Sequence, residues 1–210
     1  MKFPVLFQIA VFISCLIILA PAGFAEDMNS SISSAFNDLG IKKANKGDPE
    51  GAIKEFSKAL EYDPNNVAAY MNRGMARAGK KDVSRALVDF NRAVELDPKN
   101  GQAYLVRANF RKWRKDYDGA IADYNKALEF NPTNDQAYNN RGNARRMKGN
   151  DDGALGDFSK AIEINPKNLA AYRNRSLLRK KKGDFEGALA DEKKVNELRE
   201  EMLTRQNRSK

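Results

Sequence analysis

Apolar residues in this chain fall into short stripes, and the stripes recur. Ala52, Phe56 and Ala59 form one; Ala86, Phe90 and Ala93, then Ala120, Tyr124 and Ala127, then Ala154, Phe158 and Ala161 follow. A spacing of i, i+4, i+7 places each small–aromatic–small set on one face of a helix. Between the stripes stand Pro64, Pro98, Pro132 and Pro166, at intervals of 34 residues. Each sits in the same phrase, Asp63-Pro64-Asn65-Asn66 and its copies at Asp97, Asn131 and Asn165. Proline excludes the helical conformation from the residue before it, so a helix must stop there. The asparagine two residues later is a good N-cap, so Asn66, Asn100, Asn134 and Asn168 each open a new helix. That helix is expected to end near Gly47, Lys81, Lys115, Gly149 or Gly183. Asp48, Asp82, Asp116, Asn150 or Asp184 then caps a second helix, with Pro49 at its first position in the earliest copy.

A helix–turn–helix unit of 34 residues, with Ala, aromatic, Ala and Pro at these offsets, resembles the tetratricopeptide repeat. The resemblance covers residues 33–202. It implies an all-α fold, a right-handed α-solenoid of antiparallel helix pairs. The five units read as 33–66, 67–100, 101–134, 135–168 and 169–202. In the last, Glu192 stands where the aromatic belongs and Glu200 where proline belongs, so its second helix reads as a polar cap. Residues 26–32 are expected to be a linker and 203–210 a polar, fraying tail.

The resemblance also implies that the first helices line a concave groove that binds a peptide or another protein. The positions facing that groove give Ile41, Met71, Met75 and Leu105, an apolar first half. They give Asn109, Gln136, Asn139, Asn143, Arg146, Arg173 and Lys180 beyond it, rich in amides and cations. Methionine suits varied apolar groups. Amides can bond an extended backbone, and arginine can hold a carboxylate with two prongs. The expected partner is therefore a protein or peptide with acidic or carboxylate character at one end. The carboxylate clamp of some family members is not expected. Asn109 and Asn140 match two of its places, but Ala170 and Asn174 stand where its cations belong.

Arginine replaces two positions of the first helix that the family usually keeps apolar: Arg73 and Arg77, Arg107 and Arg111, Arg141 and Arg145, Arg175 and Arg179. A buried unpaired guanidinium would cost several kcal/mol, on the order of a small domain's whole stability. Sixteen residues after the first arginine of each set stands an aspartate: Asp89, Asp123, Asp157 and Asp191. Repeat one has neither, carrying Leu39 and Glu55 instead. The co-occurrence predicts an Arg–Asp ladder, Arg73 with Asp89, Arg107 with Asp123, Arg141 with Asp157 and Arg175 with Asp191. Its alternative is an anion-binding row.

Charge and composition narrow the chemistry. The chain has 210 residues, a net charge of +9 and no histidine, and its one cysteine is Cys15. A form lacking residues 1–25 would carry neither thiol nor imidazole. Disulfides, Cys/His zinc sites, cysteine nucleophiles and histidine bases are then excluded. Neither catalytic residues nor a cofactor or metal is expected. The segment Met1–Ala25 pairs a basic start with an apolar run and small residues at Gly23 and Ala25. It reads as a signal peptide cleaved after Ala25. Residues 5–22 also reach bilayer-spanning length, so an uncleaved membrane anchor is the alternative. Basic residues gather at the end of each first helix, but acids follow them at once, and no aromatic–basic interleaving suggests nucleic acid. The expected function is a non-enzymatic protein-interaction scaffold outside the cytoplasm, periplasmic or extracellular. The alternatives are a self-associating envelope component, hence a homo-oligomer, and a binder of anionic surfaces through the basic edge.

Overall fold

The computed structural model describes the backbone of residues 22–208. Ten helices occur among them: α1 (Ala22–Asn45), α2 (Pro49–Tyr62), α3 (Val67–Gly79), α4 (Val83–Leu96), α5 (Gly101–Trp113), α6 (Tyr117–Phe130), α7 (Asp135–Met147), α8 (Asp151–Ile164), α9 (Leu169–Lys181) and α10 (Phe185–Arg208). They fall into two compact units, α1–α4 and α5–α10, divided between Leu96 and Asp97. Within each unit the odd helix of a repeat packs on the even helix that follows it, and the even helix packs on the next odd one.

The caps explain the boundaries. Asn66 Oδ1 accepts from the amide of Ala69 at 2.9 Å, and Asn134 and Asn168 do the same for Ala137 and Ala171. The residues before the prolines, Asp63 among them, leave the helical region, as the ring behind them requires. Each turn from an odd to an even helix passes through one residue with positive φ. It is glycine at Gly47, Gly149 and Gly183, but lysine at Lys81 (φ 63°) and Lys115 (φ 64°). The amide of the next residue bonds back across the helix end, as Asp82 does to Arg77 O at 2.9 Å. That is a Schellman-type stop, which favours glycine at the left-handed position.

The core is the small–aromatic–small stripe. Phe56, Phe90, Tyr124 and Phe158 are buried, as are the alanines flanking them. In three repeats the ring lies directly on a glycine of the partner helix, Phe56 on Gly40 in the first of them. A Cβ at Gly74 would stand 2.6 Å from Phe90, and one at Gly142 2.7 Å from Phe158. Repeat five replaces this contact by a polar one: Ser176 Oγ donates to Glu192 at 3.2 Å, and Lys180 pairs with the same carboxylate at 2.6 Å.

Three features differ from the sequence reading. Residues 26–32, read as a linker, belong to α1, because neither proline nor glycine interrupts the chain from Ala25 to Leu39 and the helix propagates unbroken. The tail beyond 202, read as fraying, continues α10 to Arg208, because Glu200 takes the place of the proline that stops the other even helices. The cap helix is less polar outside than expected, with Phe185, Leu189, Met202 and Leu203 all exposed. The signal or anchor segment lies, up to residue 21, outside the described residues. No described helix is long and apolar enough to cross a membrane.

Candidate functional site

The two arginines of each repeat converge on one aspartate. Arg73 donates from Nε to Asp89 Oδ2 at 3.1 Å and from Nη2 to Oδ1 at 2.8 Å. Arg107 meets Asp123 at 2.9 and 2.8 Å, Arg141 meets Asp157 at 3.0 and 2.7 Å, and Arg175 meets Asp191 at 3.0 and 2.7 Å. All four aspartates are buried. The second arginine, four residues on, adds another contact to the same carboxylate. Arg77 reaches Asp89 at 2.6 Å, Arg111 and Arg145 reach Asp123 and Asp157 at 2.9 Å, and Arg179 reaches Asp191 at 3.0 Å. Burial lowers the pKa of Arg77, with Asp89 opposing the shift.

The first arginine of each set is held on further sides. A tyrosine one turn earlier lies under its guanidinium, at 5.5 Å for Tyr70, 5.6 Å for Tyr104, 5.2 Å for Tyr138 and 5.7 Å for Tyr172. That is cation–π distance. Its remaining nitrogen reaches the preceding repeat: Arg73 to Ser57 at 3.2 Å, Arg141 to Asn125 at 2.8 Å, Arg175 to Ser159 at 3.1 Å. Arginines with this many protein partners have little left for a ligand. The geometry favours a ladder within the array over an anion-binding row.

Repeat one solves the same problem differently. Buried Glu55 takes the aspartate's place and pairs with Lys43 at 2.6 Å and Lys58 at 3.1 Å. The hydrogen bond from Lys43 is the main cause holding the Glu55 carboxyl below its ordinary range, against the opposing effect of burial. The sequence reading named the second arginines, but neither their sharing of the ladder aspartates nor the Lys43–Glu55 pair. The signal was present, since Lys43 occupies the position of Arg77, Arg111, Arg145 and Arg179.

The residues read as groove-facing divide between the units. In the first, Ile41 is 37% and Met75 47% exposed, and Met71 is half-buried. Ile41 and Met75 line a cleft of about 360 Å³ between α1, α2 and α3, with Ala44, Asn72 and Ala76 beside them and Phe56 at its base. Asn72 donates to Asn37 at 2.9 Å and ties α3 to α1. In the second unit Gln136, Arg173 and Lys180 are exposed, and Leu105, Asn139, Asn143 and Arg146 are half-buried. Several of these are engaged inside the fold. Asn109 accepts from Tyr124 Oη at 2.6 Å and from Asn140 at 3.1 Å. Burial, and then the charge of Asp123, push the Tyr124 hydroxyl well above its ordinary range, so it remains a donor. Asn139 accepts from Asn174 at 2.8 Å, Asn143 bonds Asn139 O one turn back at 3.2 Å, and Lys180 pairs with Glu192. Arg173 and Leu177 line a second cleft, of about 390 Å³, against Val195 and Arg199 of α10.

Two exposed residues on this face were not singled out in the sequence. Trp113 is 57% exposed and Met147 54%, at the same position of successive odd helices. The basic edge, conversely, is largely spent. Lys80 pairs with Glu50, Lys148 with Asp118, Lys181 with Asp151 and Lys182 with Asp152. Each joins the end of one repeat's first helix to the start of the preceding repeat's second.

Comparison with known proteins agrees with this construction. Profiles described as tetratricopeptide repeat match residues 37–112 and 136–168, and one described as TPR repeat matches 114–149. No curated protein sequence matches the chain. Among solved structures, a crystal structure of MamA is 28% identical, covering 79% of this chain and 97% of its own, with a TM-score of 0.72. A MamA from Desulfovibrio magneticus RS-1 is 20% identical over 80% of this chain and 96% of its own, with a TM-score of 0.73. PilF of Pseudomonas aeruginosa is 19% identical over 80% of this chain and 77% of its own, with a TM-score of 0.76. At such identities the last two speak for the fold alone, an all-α solenoid of helix pairs.

Proposed function

Since the chain belongs to the tetratricopeptide repeat family, we propose that it is a non-enzymatic scaffold that binds a protein or extended peptide along the faces of its odd helices. The observation that carries this reading is the cleft lined by Ile41 and Met75. Repeats one and two, to which they belong, already close their cores with alanines and the rings of Phe56 and Phe90, so these two side chains are surplus to packing. Apolar surface left open beside amide groups suits a partner's side chains and backbone together. The chemistry of the described residues points the same way, since their carboxylates are mostly committed to ion pairs rather than grouped at a reactive cleft. The compartment belongs to the same proposal: the basic and apolar start of the sequence supports export, with the array outside the cytoplasm.

Affinity capture tests the scaffold reading. Wild-type chain and an Ile41→Glu/Met75→Glu chain serve as parallel baits in an envelope extract. The reading expects a protein retained by the first and lost from the second at equal folded content. Equal retention by both baits contradicts it.

A second reading has its own observation. Leu189, Met202 and Leu203 leave α10 with exposed apolar residues at the end of the array, which suits packing against further copies. Sedimentation of the purified chain over a hundredfold concentration range tests it, and a constant monomer mass contradicts it.

A further inference from the structure

Nine arginines and lysines of the second unit are half-buried: Arg107, Arg111, Lys112, Arg141, Arg145, Arg146, Arg175, Arg179 and Lys194. Seven of them have a carboxylate partner within the unit. Lys112 and Arg146 have none among the described residues. Lys112 donates to the neutral Asn140 Oδ1 at 2.8 Å, and burial lowers its pKa. Arg146 has a buried Nε with no hydrogen-bond partner at all. A half-buried cation without a counter-charge is an electrostatic cost, and elsewhere in this unit the sequence avoids it.

The two cations share a position, twelfth in successive odd helices, and an apolar pair lies beside them. Trp113 follows Lys112 at the end of α5. Met147 follows Arg146 at the end of α7. Asn140 and Met147 are seven residues apart on α7, two helical turns, so Met147 lies on the side that Asn140 turns toward Lys112. Neighbouring helices stand about 10 Å apart, and a segment extended in the polyproline II conformation advances about 3.1 Å per residue and returns every third side chain to the same face. Two carboxylates three residues apart would therefore match the spacing of the two cations.

We propose that Lys112, Arg146, Trp113 and Met147 form a recognition site for an extended segment carrying two acidic side chains three residues apart with an apolar residue between them. The carboxylates neutralise Lys112 and Arg146, and the apolar side chain covers Met147 and Trp113. The proposal rests on the scaffold reading and specifies one place and one chemistry for it.

Trp113 is the single tryptophan of the chain, so its fluorescence reports occupancy directly. The probes are the blocked peptide Ac-Glu-Leu-Ser-Glu-NH2 and its amide counterpart Ac-Gln-Leu-Ser-Gln-NH2, titrated into the full chain. The acidic peptide is expected to shift the emission saturably, with at least tenfold higher affinity than the amide peptide. Lys112→Gln with Arg146→Gln should remove that preference, with helical content checked by circular dichroism. Lys112→Glu with Arg146→Glu should transfer the preference to Ac-Lys-Leu-Ser-Lys-NH2. Equal response to both uncharged and acidic peptides overturns the site, as does unchanged binding by the neutralised chain. If the neutralised chain still retains the captured partner at full affinity while Ile41→Glu/Met75→Glu loses it, the scaffold stands and this site falls.

Discussion

Arg141 and Asp157 face each other across the two helices of one repeat, joined by two parallel hydrogen bonds of 3.0 and 2.7 Å. The fork leaves one guanidinium nitrogen, and that nitrogen bonds Asn125 of the preceding repeat at 2.8 Å. Arg145 closes on the other side of the same carboxylate at 2.9 Å. One buried aspartate thus organises two arginines, and one arginine joins two repeats. A strongly bonded charge of this kind sets helix register, because any slip leaves a guanidinium unpaired in a site of low polarity.

Removing the carboxylate strands both arginines. Asp157→Ala should destabilise the chain by about 3–5 kcal/mol, read from urea unfolding. Asp157→Asn should cost nearly as much, since the charge goes while the shape remains. A loss below about 1 kcal/mol would mark the rung as no better than a surface pair.

The second arginine changes the expected rescue. Replacing Arg107 and Asp123 together by Leu and Ala leaves Arg111 without the partner it holds at 2.9 Å. Only the triple change, with Arg111→Leu added, should recover most of the loss caused by Asp123→Ala. Full recovery by the double change would show that Arg111 is idle.

Repeat one should answer to acid. The Lys43 hydrogen bond depresses the folded-state pKa of Glu55, so its contribution is present above the unfolded carboxyl pKa and lost as pH falls through the folded value. The stability gap between wild type and Glu55→Gln should therefore be largest near neutrality and close as pH drops below the ordinary glutamate range. Unfolding curves at pH 7 and pH 3 measure it. A gap that widens in acid would contradict the assignment.

Lys81 and Lys115 carry positive φ where three other repeats use glycine. A side chain there is strained, and neither lysine forms an ion pair with the described residues that would offset it. Lys81→Gly and Lys115→Gly should each raise stability by about 0.5–1 kcal/mol, while Gly149→Val should lower it by more. Thermal unfolding of the three variants is the check.

The helix pairs were legible because their punctuation is local. Pro64 stops a helix and Asn66 starts one by rules that involve a few neighbouring atoms, and the 34-residue interval repeats them. The Arg–Asp offset was legible for a related reason, since a fixed spacing within a fixed unit becomes a fixed distance. What escaped notice depended on counting in three dimensions. That Arg77 shares Asp89 with Arg73, or that Lys43 answers Glu55, follows only once the helix faces are set against one another. Trp113 and Met147 escaped because large apolar residues are ordinarily read as buried, and only the packed array shows them at the surface. The ends of the array were misread because they lack the punctuation: nothing breaks the chain before Gly40, and Glu200 does not stop α10.

The central claim is that partners bind on the odd-helix faces. Val88, 65% exposed on the even helix α4, supplies the control for a face that should not matter. The decisive measurement is the affinity of the captured partner, by isothermal titration, for three chains of equal fold: wild type, Met75→Glu/Arg146→Glu and Val88→Glu. The account predicts at least a tenfold weaker Kd for the odd-helix variant and an unchanged Kd for Val88→Glu. Loss of binding with Val88→Glu, and full affinity in Met75→Glu/Arg146→Glu, would contradict it.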